Sequence, residues 1–69
     1  MKELNEIMRK NLKAARAKAG FSQPEAAKKL NISVHTLSNW EVSPTNVSIA
    51  KLAELCQLYG VRVRELLND

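Results

Sequence analysis

Apolar residues recur at spacings of three and four over residues 5–19, at Ile7, Met8, Leu12, Ala15 and Ala19, in a segment otherwise rich in Ala, Lys, Arg and Glu. That period predicts a first helix with one buried face. Gly20 follows the last periodic residue, where a left-handed stop is expected, and Phe21 is placed to pack back onto the core. Ser22-Gln23-Pro24-Glu25 then reads as a helix start. Ser22 can accept from a free backbone NH, Pro24 fits the first turn, and Glu25 complements the positive end of the helix dipole. This second helix is short, ends near Leu30, and carries Ala26 and Ala27 where a neighbour must come close. Asn31 is expected in the left-handed conformation. Ile32 precedes Ser33, the N-cap of a third helix over residues 33–41, in which Leu37 and Trp40 form the apolar side. Residues 42–47 form a loop, and Ser48 caps a fourth helix with a wide stripe of Ile49, Leu52, Ala53, Leu55, Cys56 and Tyr59. Gly60 stops it, and Val61, Val63, Leu66 and Leu67 predict one last short helix. Two short helices joined by a three-residue turn cannot be collinear, so residues 22–41 form a bend with two differently directed helices.

With 69 residues, 45% hydrophobic and 26% charged, the chain is expected to fold as one small all-α domain over residues 1–69, its core spanning about 5–67. The lone Cys56 rules out an intramolecular disulfide, and a single His leaves no zinc constellation, so no metal and no cofactor are expected. Cys56 falls on the apolar stripe and reads as a buried, inert thiol in a reducing, cytosolic setting. No apolar run of membrane length exists, and the stretch Met1-Lys2-Glu3-Leu4-Asn5-Glu6 is too charged for a signal peptide. The formal charge of +4 favours an acidic partner, and its position says more than its size. Residues 1–35 hold eight Lys/Arg against three acids, whereas residues 36–69 hold three against four. Arg9, Lys10, Lys13, Arg16 and Lys18 make the first helix basic, mostly as solvated face residues. No pair of carboxylates, nucleophile–base pair or metal spacing converges, so an enzyme is not expected.

Residues 23–40 resemble the helix-turn-helix of the phage repressor and Cro-type (XRE-like, lambda-repressor-like) family of small DNA-binding transcriptional regulators. Counting from Gln23, the small fifth residue is Ala27, the turn residue at the ninth is Asn31, and the buried apolar positions are Leu30, Ile32, Leu37 and Trp40. Gly20-Phe21-Ser22-Gln23 before the motif, Trp40-Glu41 at its end, and Leu52, Leu55, Tyr59, Gly60, Val61, Leu66 and Leu67 behind it match as well, so the likeness spans about residues 8–67. The resemblance implies a compact five-helix fold, with the second and third helices as the helix-turn-helix. It also implies a cytoplasmic, nucleoid-associated protein of bacterial or phage type and a partially buried ion pair between Arg16 and Glu41.

The function implied is sequence-specific binding of double-stranded DNA by a repressor-type regulator, with residues 33–41 in the major groove. Asn39 suits bidentate pairing with adenine, His35 and Ser38 can bond base edges, and Val34 can touch a thymine methyl. Phosphate contacts are expected from Ser22 and Gln23 at the start of the second helix, from Ser33 and Thr36, and from Ser43, Thr45 and Asn46 in the following loop. That loop departs from the family, which commonly has Gly at the place of Ser43 and Lys or Arg just after. Arg62 likewise stands where the family usually has a helix-capping Ser. Family regulators often dimerise through the tail, so Val61, Val63, Leu66 and Leu67 are candidates for core, dimer interface or both, with a homodimer expected on an inverted-repeat site. The alternative is a protein-interaction module of the same fold, such as an antitoxin or a coactivator-type bridging domain, whose main partner is another protein.

Overall fold

The computed structural model describes residues 3–69; Met1 and Lys2, which open the charged N-terminal stretch, lie outside the described residues. Four α-helices follow in order: α1 (Leu4–Ala19), α2 (Gln23–Leu30), α3 (Val34–Val42) and α4 (Ile49–Tyr59). Two 3-10 helices, Pro44–Asn46 and Val63–Leu67, complete the order, and the described residues include no strand. The anticipated fifth helix is thus a tight 3-10 turn, beginning at Val63 rather than Val61. Five residues suit the three-residue period, which sets Val63 and Leu66 on one side. Arg62 offers no side-chain cap; Glu65 instead reaches back to accept from the Arg62 NH, which performs half of a capping box without the family's Ser.

Hydroxyl caps start the later helices. Ser22 Oγ accepts from Glu25 N at 3.2 Å, while Ser22 N donates to Glu25 Oε1 at 2.9 Å, a reciprocal box that also holds the Glu25 carboxyl below its usual pKa. Ser33 accepts from Thr36 N at 3.0 Å, and Ser48 from Lys51 N at 3.2 Å. Three left-handed residues end α1, α2 and α4: Gly20 at φ 85°, Asn31 at φ 58° and Gly60 at φ 74°. Each is followed by an apolar residue, Phe21, Ile32 or Val61, whose NH returns to a carbonyl of the preceding turn at 3.0–3.2 Å.

The core draws on every helix. Met8, Leu12 and Ala15 come from α1, Ala26 and Ala27 from α2, Leu37 from α3, and Leu52, Leu55, Cys56 and Tyr59 from α4, with Leu66 beneath the C-terminal turn. Ala26 and Ala27, essentially inaccessible, allow α2 to approach α3 and α4 closely. Three anticipated core positions are exposed: Ala19, Ala53 and Ile49, the last at 68%. Ile49 has the right angle for the α4 stripe, but it is the first residue of the helix and is left uncovered there, whereas Leu52, Leu55, Cys56 and Tyr59 are buried. Trp40 is partly buried against the core rather than enclosed in it. Pro44, by contrast, is fully buried, so the loop after α3 has an apolar anchor of its own. No helix among the described residues is long and apolar enough to cross a membrane.

Tyr59 carries a buried hydroxyl with no hydrogen-bond partner among the described residues, and its ring packs 6.3 Å from that of Phe21, tilted by 40°. Burial first, then the negative charge of Glu41, push the phenol up to about 12, with Arg16 acting in the opposite sense. In the unfolded chain the phenol ionises near pH ~10. Stability from the neutral folded phenol is therefore complete below that pH and is lost as pH rises toward the folded value. Tyr59→Phe should cost little at neutral pH, because it removes an unsatisfied group, and should flatten the alkaline fall in stability. As this is the sole tyrosine, tyrosinate absorbance in the folded protein reads its ionisation directly. A half-titration near pH ~10 would contradict the assignment.

Candidate nucleic-acid interface

The turn 31–33 sends the chain from α2 into α3 at once, because Asn31 closes one helix and Ser33 caps the next. Leu37 is fully buried, Trp40 packs on the core, and Glu41 is 1% exposed. These three residues fix the inner side of α3. The opposite side presents exposed Val34, His35 and Asn39, with Ser38 partly accessible beside them. It offers donors, acceptors and a small apolar contact without a free carboxylate. Val42, 52% exposed at the end of the same helix, extends this surface and was not anticipated.

A polar network holds the far end of α3 in place. Arg16 Nε donates to Glu41 Oε2 at 2.7 Å and Arg16 Nη2 to Glu41 Oε1 at 3.3 Å, while Arg16 Nη1 donates to the Phe21 carbonyl at 3.1 Å. Gln23 Nε2 donates to Glu41 Oε1 at 2.9 Å. The buried carboxylate therefore ties α1, the α1–α2 turn and the start of α2 to the end of α3. Three charge-assisted donors offset its desolvation, and Arg16 is itself 18% exposed in its side chain.

A second network fixes the loop. Asn5 Nδ2 donates to the Val42 carbonyl at 3.2 Å, and Asn5 Oδ1 accepts from Thr45 N at 3.2 Å and Thr45 Oγ1 at 3.0 Å. A third amide, Asn11 Nδ2, donates to the carbonyls of Leu66 at 2.9 Å and Asn68 at 2.7 Å, which fastens the C-terminal turn to α1. Neither asparagine was singled out from the sequence. A signal existed for Asn5, which stands seven residues before the buried Leu12 and so shares its helix face, where an amide must find partners.

The residues expected at phosphate are engaged to different degrees. Ser22 and Glu25 satisfy each other, and Gln23 has one amide NH on Glu41, which leaves the Gln23 backbone NH as the open donor at the start of α2. Ser33 Oγ donates to Thr36 Oγ1 at 2.9 Å, so the proton of the Thr36 hydroxyl is available. In the loop, Ser43 N donates to the Asn39 carbonyl and Asn46 N to the Ser43 carbonyl, each at 3.0 Å. The Ser43 and Asn46 side chains are uncommitted among the described residues, whereas both Thr45 donors are held by Asn5. Of the four tail residues, Leu66 is enclosed in the protomer's own core and Val61 and Val63 are partly buried against it; only Leu67, at 48%, lies open. Burial and then the charge of Glu65 raise the Cys56 thiol above its ordinary value, which suits a packing role.

A helix-turn-helix family model matches residues 12–66, from the middle of α1 into the second 3-10 helix. The HTH-type transcriptional regulator ImmR of Bacillus subtilis (strain 168) is 47% identical over 59 residues, which cover 86% of this chain and 46% of that protein. The chain thus spans about half the length of this relative. With a matched stretch that takes in α2, the turn and α3 entire, the chain belongs to the helix-turn-helix family.

Proposed function

We propose that the chain is a DNA-binding transcriptional regulator of repressor type that recognises a specific double-stranded sequence by laying α3 in the major groove. The observation that carries this reading is the outer side of α3: Val34, His35, Ser38 and Asn39 stand on a helix whose inner side is fixed by Leu37 and by the Arg16–Glu41–Gln23 network. Rigid presentation of a polar face is what direct readout of base edges needs. The relative named as a transcriptional regulator supports the same reading. Ser22, Gln23, Ser33, Thr36, Ser43 and Asn46 set register on the phosphates. Thr45 joins them only by exchanging Asn5 for DNA.

Selection of bound duplexes from a random pool tests the proposal. A recovered inverted repeat with half-sites about 34 Å apart is the result expected of a homodimer, and Leu67 with the accessible parts of Val61 and Val63 is its proposed contact. On the selected site, Asn39→Ala should weaken binding by about 1–3 kcal/mol while leaving binding to scrambled DNA almost unchanged. Equal losses on both would remove Asn39 from the base-reading set. A protein-interaction module is the second reading, favoured by the exposure of Val42 and Ile49. Absence of any salt-dependent DNA complex would select it.

A further inference from the structure

The loop after α3 contains no basic residue, so a groove-bound α3 would leave the phosphates at its C-terminal end without a cation from that loop. Resting on the DNA-binding reading above, we propose that Arg9 of α1 supplies it: Arg9 is a phosphate-contacting residue that clamps the backbone beside the 42–46 loop.

The placement follows from α1. Asn5, Arg9 and Arg16 stand four and seven residues apart and therefore share one face of the helix. Both flanking members of that row reach the C-terminal end of α3. Asn5 holds Val42 and Thr45, and Arg16 holds Glu41. Arg9 lies between these anchors, partly buried, so its stem rests on protein where α1 meets α3 and the loop. Yet its guanidinium makes no hydrogen bond or ion pair among the described residues. The acids near it do not claim it. Glu41 is already bonded to Arg16 and Gln23, and Glu6, three residues earlier on α1, makes no ion pair with it. A planar, permanently charged fork with its donors unspent, set beside a loop without charge of its own, matches a phosphate diester better than any other group on this face. Of the other α1 cations, Arg16 is spent on Glu41, Lys10 borders a groove with Asn11, Asn68 and Asp69 at the C-terminal segment, Lys18 borders another with Val61 and Glu65, and Lys13, one turn beyond Arg9, is exposed rather than rested on protein.

The test is the salt dependence of DNA affinity for the wild-type chain, Arg9→Gln, Arg9→Lys and Lys10→Gln, with folding checked by circular dichroism. Loss of one phosphate contact lowers the slope of log K against log salt by about 0.9, so Arg9→Gln should lose about 3.5-fold less affinity than wild type between about 50 and 200 mM salt. The loss at low salt should be the same on the selected site and on scrambled DNA, and Arg9→Lys should keep the wild-type slope. An unchanged slope in Arg9→Gln, or an equal drop in Lys10→Gln, overturns the assignment of Arg9 and leaves DNA binding standing. A wild-type chain without salt-dependent binding overturns both.

Discussion

Arg16→Met is expected to lower the unfolding free energy by about 3 kcal/mol, the lower end of the range for breaking a buried pair, because Arg16 is partly open to solvent. The loss arises at Glu41, which would remain 1% exposed with only Gln23 to stabilise it, while α1 lost its hold on the end of α3. For a domain of this size that corresponds to a fall in Tm of about 12–24 °C. Urea unfolding followed by Trp40, the only tryptophan and one packed on the core, measures it. Arg16→Met combined with Glu41→Leu should recover most of the loss, since replacing both members of a buried pair by apolar groups is often close to neutral. A cost for Arg16→Met below about 1 kcal/mol would mean that the pair behaves as a surface contact.

Leu37→Ala should cost about 3–5 kcal/mol, as a fully buried leucine is replaced by a cavity that the surrounding helices fill only in part. Leu37 is the one core residue of α3, so its removal loosens that helix along with the fold. Leu37→Met, which nearly conserves volume, should cost less than about 1.5 kcal/mol. Thermal unfolding of the two variants gives the comparison, and similar losses for both would show that the site can collapse around the smaller side chain.

The local elements were the legible part. Ser22, Ser33 and Ser48 before apolar runs, with Gly20, Asn31 and Gly60 behind them, bound the helices to within a residue or so, because capping is decided by chain neighbours. The Arg16–Glu41 contact spans 25 residues and came from the family resemblance; no local pattern places it. Gln23 is expected at phosphate from its position at the start of α2, where backbone NH groups are open; the bond of its side-chain amide to Glu41 is a separate contact that only the crossing of α1, α2 and α3 creates. Asn5 and Asn11 were passed over because helical periodicity records apolar residues and is silent on amides bonded to carbonyls 37 and 55 residues away. Ile49 failed for a related reason: angle on a helix is set by sequence, but the depth at which the core ends is set by packing. The candidate site divides likewise. The polar character of the α3 face was visible, and the number of donors left after internal bonding was not.

The bonds from Asn11 to Leu66 and Asn68 also bear on how the molecule assembles. Capping and turn contacts in α2 and α3 are local and close at little entropic cost, whereas the Asn11 clamp closes a 55-residue loop and contributes only once the chain's far segment has docked. Helix α1 thus has some of its partners at the opposite extreme of the sequence, beside those on α3, the 44–46 turn and α4, and its Met8–Leu12 stripe is covered by non-local contacts alone. The helix-turn-helix is continuous in sequence, but its hold depends on non-local contacts from the first helix, which is itself fastened to the last turn.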